Sequence, residues 1–168
     1  KENMSVDGSI VKKLQSILIN DAILADSESL ERYAFDALNP HRLHSRPHLA
    51  ESRVLAVVQP ANSLEVRQLV QLANEFDFSL IPYGGGTGVM GSVIPFRKGI
   101  AVDMKKMDSI LEINAQERLA VAQPGVILAQ LAAEAAQYNL VFGHDPWSLP
   151  IATLGGAIST NGIGYRAS

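Results

Sequence analysis

The stretch Pro82-Tyr83-Gly84-Gly85-Gly86-Thr87-Gly88-Val89-Met90-Gly91-Ser92 decides the reading of the whole chain. The extended apolar run Leu80-Ile81-Pro82-Tyr83 leads into it, and five glycines then fall within eight positions, Gly84 to Gly91. Glycine has no Cβ, so the backbone there can take φ > 0 and come close to a ligand. Consecutive N–H groups in such a turn converge on a single anion. The stretch holds no Lys, Arg or His, so its pull on an anion comes from backbone dipoles. That suits a pyrophosphate held in a dry groove. The plain alternative is a flexible surface turn, although glycine clusters after a strand usually have a packing or ligand reason.

Two familiar phosphate loops do not fit. A Walker A loop ends in Gly-Lys-Ser/Thr, with the lysine on the β/γ-phosphates and the hydroxyl on Mg²⁺. Here Gly91 is followed by Ser92 and Val93. Gly86-Thr87-Gly88-Val89-Met90-Gly91 does match G-x-G-x-x-G, but that motif needs a helix whose N-terminus receives the pyrophosphate. Pro95 would break such a helix soon after it began. What remains is a loop that wraps a phosphate with no helix following it.

Upstream, Arg53–Gln59 is a run rich in β-branched residues that ends at Pro60, and it reads as a buried strand. Ser63 is the expected cap of a helix with Val66, Leu69, Val70 and Ala73 on its apolar face, closed by Asp77. Ser79–Tyr83 is the next strand, so the glycine loop sits at the carboxyl end of a parallel βαβ unit, where open α/β sheets bind ligands. Gly99–Met104 reads as a third strand. The period then shifts towards 2: Ile110–Ile113 and Leu119–Gln123 read as an antiparallel pair turning at Asn114–Glu117. Pro124-Gly125 punctuates, a helix carrying Leu128, Leu131, Ala132 and Ala135 ends near Asn139, and Leu140–Phe142 reads as a short strand.

The N-terminal part is less informative. Ser9 is a candidate cap for a helix with Ile10, Val11, Leu14, Ile17 and Leu18 on one face, and a short helix is expected over Ser29–Ala34. The pattern then dissolves into a loop from Phe35 to Glu51, with no chemistry to assign. The expected organisation is α+β: an N-terminal helical and loop segment (1–52), a parallel βαβ lobe (53–108), and a partial antiparallel α+β lobe (109–168).

At 168 residues, 47% hydrophobic and 18% charged, the chain is globular, with room for one domain or two small lobes sharing a ligand. A net charge of −3 gives no electrostatic footprint for nucleic acid. His41, His44 and His48, without any cysteine, match no zinc spacing, so no metal is expected. No apolar run is long enough to span a membrane and nothing resembles a signal peptide, so the cytoplasm is the expected compartment, with peripheral membrane association left open.

A second unusual stretch, Gly143 to Gly164, reads GHDPWSLPIATLGGAISTNGIG. It is rich in Gly, Ser and Thr yet carries Leu149, Ile151, Leu154 and Ile158, which a disordered linker would lack. Gly155-Gly156 permits close approach, and Ser148, Thr153, Ser159 and Thr160 offer hydroxyls. The alternatives are a packed Ω-loop and a ligand-contacting loop, and a long loop in a compact domain favours the second.

PYGGGTGVMGS, AQPGV (Ala122–Val126) and DPWS followed by TLGGAISTNG occur in this order from about Val54 to the end. Together they resemble the FAD-binding, p-cresol methylhydroxylase (PCMH)-type domain of the vanillyl-alcohol oxidase/p-cresol methylhydroxylase flavoproteins. The resemblance leans to the D-lactate dehydrogenase and glycolate oxidase branch, with alkylglycerone-phosphate synthases more distant.

The resemblance implies FAD between two α+β lobes. Tyr83, Gly84, Gly85, Gly86, Thr87, Gly88, Val89, Met90 and Gly91 would form the pyrophosphate loop. Pro124, Gly125 and Val126 would lie on the adenosine side. Asp145, Pro146, Ser148, Thr153, Gly155, Gly156 and Ser159 would line the pyrophosphate, ribityl and isoalloxazine side. Tyr83 stands where the family often has arginine, Gly91-Ser92 replaces a frequent Gly-Gly pair, and the loop lacks the histidine that attaches flavin covalently in some members. Non-covalent FAD is therefore implied at this loop. The family continues with the rest of the second lobe and a substrate-binding cap domain, so the catalytic groups are expected beyond Ser168 and none is named here. The implied activity of the longer chain is hydride transfer from a D-2-hydroxy acid to FAD, in a flavin-linked oxidase or dehydrogenase, with the 168-residue piece inactive alone. The alternative is a non-catalytic accessory or scaffold piece that keeps the fold without the cofactor. A nucleotide-binding regulatory module fits less well, because the loop has no partner for Mg²⁺.

Overall fold

A computed structural model describes residues 8–38 and 53–165. The expected His41, His44 and His48 loop lies outside the described residues. In chain order the elements are α1 (Gly8–Ile17), β1 (Ile23–Leu24), α2 (Ser27–Arg32), β2 (Val54–Val58), α3 (Ser63–Phe76), β3 (Ser79–Tyr83), β4 (Gly99–Asp103), β5 (Ile110–Asn114), β6 (Leu119–Ala122), α4 (Leu128–Gln137) and α5 (Leu154–Ser159).

The first sheet has the order β1-β2-β4-β3. β4 lies parallel between β2 and β3, and β1 is antiparallel on the edge. All five residues of β4 are buried, which explains the apolar run Ile100-Ala101-Val102 before Asp103: both faces are covered. Side chains alternate across a strand. Ile100 and Val102, with Val58, pack against Ile10, Leu14 and Leu18 of the α1 region and Leu69, Leu72 and Ala73 of α3. On the opposite face Ala101 and Val57 meet Tyr33 and Ala34 at the end of α2. The N-terminal segment thus shares its core with the βαβ lobe.

Helix α3 starts where its cap is. Asn62, not Ser63, is the N-cap: its side chain accepts from Glu65 N–H at 3.0 Å, and the Glu65 carboxylate accepts from Ala61 N–H at 2.7 Å. Asp77 closes the helix in the left-handed region at φ 50°, as an αL cap. Leu72 rather than Val70 completes its buried face, and Val70 is exposed. Helix α1 begins at Gly8, so Ser9 falls in its first turn, and α2 is capped by Asp26 two residues earlier than the pattern suggests.

The second sheet is the antiparallel pair β5-β6, with Ile110 opposite Ala122 and Asn114 opposite Leu119. Leu128, Leu131 and Ala135 of α4 are buried beside Val126 and Ala152. Two expectations fail here. Leu140–Phe142 is not a strand: it follows Asn139 at φ 57°, Val141 is 80% exposed, and among the described residues no strand pairs with it. The 143–164 stretch is not a loop throughout, because it contains α5. The observed architecture is a parallel α/β lobe followed by an antiparallel α+β lobe.

Candidate functional site

Three strands deliver their carboxyl ends to one place. Gln59 follows β2, Asp103 ends β4 and Tyr83 ends β3. The Asp103 carboxylate is only 3% exposed, a costly position unless it is hydrogen-bonded. It accepts from Tyr33 Oη at 2.6 Å, Gln59 Nε2 at 3.3 Å and Lys105 N–H at 3.0 Å. Burial first, then this hydrogen bond to Asp103, pushes the Tyr33 hydroxyl well above the usual tyrosine range. The Tyr33 and Tyr83 rings lie 4.6 Å apart between centroids, and burial raises Tyr83 as well. This cluster is a floor that fixes the strand ends.

The glycine loop rises from that floor. Tyr83 Oη donates to Phe35 C=O at 3.1 Å, which ties the hydroxyl to the segment after α2. A Cβ on Gly84 would run into Thr153 Oγ1, one on Gly85 into the Ile151 carbonyl, and one on Gly86 into Tyr83 Oη. Gly86 also has φ +65° and Gly91 φ +71°, the left-handed region that favours glycine. Ala37 N–H donates to Gly86 C=O at 3.0 Å, and Gly91 N–H donates to Asp36 Oδ2 at 3.0 Å. Among the described residues, the N–H groups of Gly85, Gly86, Thr87, Gly88, Val89 and Met90 donate to no partner. Unpaired backbone donors in a folded loop seek a ligand or water.

The two later motifs join each other and then the loop. Gly155 N–H donates to Pro124 C=O at 2.8 Å, Leu154 N–H to Val126 C=O at 2.8 Å and Leu128 N–H to Ala152 C=O at 2.9 Å. Gly125 N–H donates to Met107 C=O at 2.7 Å, with no room for a Cβ against Met104 and Met107. Gly84 and Gly85 then pack on Ile151–Thr153, so all three quoted segments meet. Val126 is fully buried, its N–H donating to Gln123 C=O at 3.2 Å and its carbonyl accepting from Leu154 N–H. Thr153 Oγ1 is occupied in capping α5, where it accepts from Gly156 N–H at 3.3 Å. Ser148 is buried and Ser159 is exposed on α5. Asp145 and Pro146 lie half-buried at the start of the segment, Asp145 C=O accepting from Tyr165 N–H at 3.3 Å. Val89 and Met90 are exposed at the outer bend of the loop.

Tyr33 and Asp36 escaped the sequence reading. Asp36 meets a residue 55 positions away, and YAFDAL carries no recognisable spacing. Among the described residues no cluster of three His, Cys, Asp or Glu side chains is placed to hold a metal. No helix there is long and apolar enough to cross a membrane.

A dinucleotide fits the chemistry of this site. Its pyrophosphate needs several backbone donors, which the unpaired N–H groups of Gly85 to Met90 offer among the described residues, and it needs bare backbone, which Gly84 to Gly86 supply. Comparison with known proteins agrees. The FAD binding domain family matches residues 54–168. The chain is 39% identical over 137 residues to a D-lactate dehydrogenase of Archaeoglobus fulgidus, covering 82% of this chain and 29% of the relative. It is 31% identical over 160 residues to a D-2-hydroxyglutarate dehydrogenase of Stutzerimonas stutzeri, covering 95% and 32%. An alkyldihydroxyacetonephosphate synthase structure superposes with a TM-score of 0.81 at 27% identity, over 93% of this chain and 32% of that one. The chain therefore spans under a third of the length of these relatives, and its fold is the PCMH-type domain. With its glycine loop, turn and second motif joined as described, and with FAD as its cofactor, the chain belongs to the FAD binding domain family.

Proposed function

We propose that the chain is the flavin-holding part of an FAD-linked dehydrogenase or oxidase acting on D-2-hydroxy acids. One observation carries the binding half of this reading: among the described residues, six consecutive N–H groups, Gly85 to Met90, donate to no partner, in a loop tied at Gly86 C=O and Gly91 N–H. Gly84 to Gly91 hold the pyrophosphate. Pro124 and Gly125 lie on the adenosine side, and Asp145 to Ser159 face the flavin end. The relatives named for D-lactate and D-2-hydroxyglutarate support the substrate class. When bound, FAD supplies the hydride-accepting chemistry, and this chain's residues bind it, orient it and exclude water from one side. We divide the molecule functionally into the helical segment 1–52, the pyrophosphate lobe 53–108 and the flavin-side lobe 109–168. We keep the cytoplasm as the proposed compartment.

The test is to purify the full-length protein, record its flavin absorbance, and assay D-lactate, D-2-hydroxyglutarate and glycolate with a dye acceptor. The expected result is a yellow protein that reduces the dye with at least one D-acid and not with its L-enantiomer. A flavin-free protein that neither takes up FAD nor reduces the dye would favour a non-catalytic scaffold.

A further inference from the structure

The segment Phe35–Leu38 lies before the part of the chain that matches the flavin-binding family, yet it grips the glycine loop at three points. Phe35 C=O accepts from Tyr83 Oη at 3.1 Å, Ala37 N–H donates to Gly86 C=O at 3.0 Å, and Asp36 Oδ2 accepts from Gly91 N–H at 3.0 Å. The other oxygen of Asp36 is also used: Oδ1 accepts from Leu38 N–H at 3.0 Å. One carboxylate thus binds its own segment with one oxygen and the loop with the other.

We propose that Asp36 is a positioning residue of the cofactor site, which holds the loop so that its open N–H row faces the pyrophosphate; this rests on the FAD reading above. The geometry follows from the peptide bond. In a trans peptide, C=O and the next N–H point in opposite directions. Ala37 pins Gly86 C=O towards the 35–38 segment, so Thr87 N–H, in the same peptide plane, points away from it. Asp36 anchors the far end at Gly91 and keeps Ala37 in place through Leu38. Asp36 Oδ2 also lies 3.2 Å from the position of a Cβ on Gly88, which confines the middle of the loop. Only a carboxylate offers two equivalent acceptors at this size. Asparagine has one, and would turn an NH₂ group towards one of the two N–H donors.

The proposal also sets Asp36 apart from a simple electrostatic role. A carboxylate near a pyrophosphate repels it, so removing the charge alone would tighten binding. Positioning predicts the opposite sign. The experiment titrates FAD, and separately ADP, which carries the pyrophosphate without the flavin ring, into the full-length apoprotein. Wild type, Asp36→Asn and Asp36→Ala are compared, with the apoprotein melting temperature and amide hydrogen exchange across residues 84–91 measured in parallel. Asp36→Asn keeps the size of the side chain and guards against a variant that fails to fold. The expected result is a loss of about tenfold or more in FAD and ADP affinity in both variants, the scale of one hydrogen bond to a charged group. Exchange in the loop is expected to quicken while β3 and β4 exchange as in wild type. Unchanged or tighter FAD and ADP binding in the two variants, with wild type binding normally, would overturn the proposal. Failure of wild type itself to bind FAD would overturn the functional reading and this proposal with it.

Discussion

Tyr33 and Asp103 show what one buried pair contributes. The 2.6 Å bond ties α2 to the end of β4, and the carboxylate has almost no access to water. Tyr33→Phe removes one donor from a buried charge, and is expected to cost about 1.5–3 kcal/mol in urea unfolding at pH 8, the range for hydrogen bonds to charged groups. The pH dependence has a definite sign. The folded-state hydroxyl titrates above its unfolded value of 10.0, so its stabilising contribution is complete below about pH 10 and is lost as pH rises beyond it. Unfolding measured from pH 8 to pH 11 should therefore show a steeper alkaline decline in wild type than in Tyr33→Phe. Equal slopes would mean that Tyr33 ionises in the folded state as it does in the unfolded chain. None of this was legible in the sequence. The partners of Asp103, Tyr33 and Gln59, lie 70 and 44 positions away, and no local pattern records such a contact. The glycines were legible, because the need for φ > 0 or for missing Cβ atoms is written into residue type.

At the scale of elements, legibility followed periodicity. Strands β2 to β6 and helices α3 and α4 were evident because each carries an apolar run or repeat, which the core uses in β2, β3, β4, α3 and α4 and leaves exposed in much of β5 and β6. Helix α5 carries no such repeat. Its sequence LGGAIS is poor in helix formers, and it is held by the Thr153 cap and by Gly155 against Pro124. Tertiary packing overrode propensity there. Gly155→Val tests that view: its Cβ would lie 2.8 Å from Pro124 Cβ and 3.0 Å from Pro124 C=O. A destabilisation of about 1–3 kcal/mol in chemical unfolding is expected from such overpacking. No measurable change would show that α5 is docked by something else. Helix α1 makes the complementary case. It lies outside the matched family segment, yet Leu14 is fully buried among Val58, Leu69 and Ile100. Leu14→Ala should cost about 2–5 kcal/mol, the range for a buried leucine in a core, read as a lowered urea midpoint at unchanged slope. A shift within error would separate α1 from the core.

Across the whole molecule, the loop and the two later motifs form one wall. Exposed apolar side chains lie in the second motif and just beyond it: Trp147 is 71% exposed, Ile158 70% and Ile163 77%. The β5-β6 pair stands as a two-stranded sheet, with Leu111, Leu119 and Val121 exposed. A two-stranded sheet is marginal alone, and a cofactor the size of FAD is held by covering most of its surface. The 168-residue chain by itself is therefore expected to lose FAD on gel filtration, whereas the full-length protein keeps it. Retention of stoichiometric flavin by the short chain would show that this wall suffices. The sequence foretold the three motifs and their order. It did not foretell the hydrogen bonds that join Pro124–Leu128 to Ala152–Gly155, since pairing between distant segments leaves no mark on either.

The most direct measurement is an FAD titration of the full-length apoprotein, wild type against Gly86→Val. At φ +65°, with Tyr83 Oη where the Cβ must go, valine cannot keep the loop conformation. Several charge-assisted hydrogen bonds of about 1.5–3 kcal/mol each depend on that conformation. The account predicts that wild type binds FAD, and that Gly86→Val stays folded by circular dichroism but loses affinity by about two orders of magnitude or more. A folded Gly86→Val protein that binds FAD as tightly as wild type would contradict it, because the pyrophosphate would then be held somewhere other than the open N–H row of this loop.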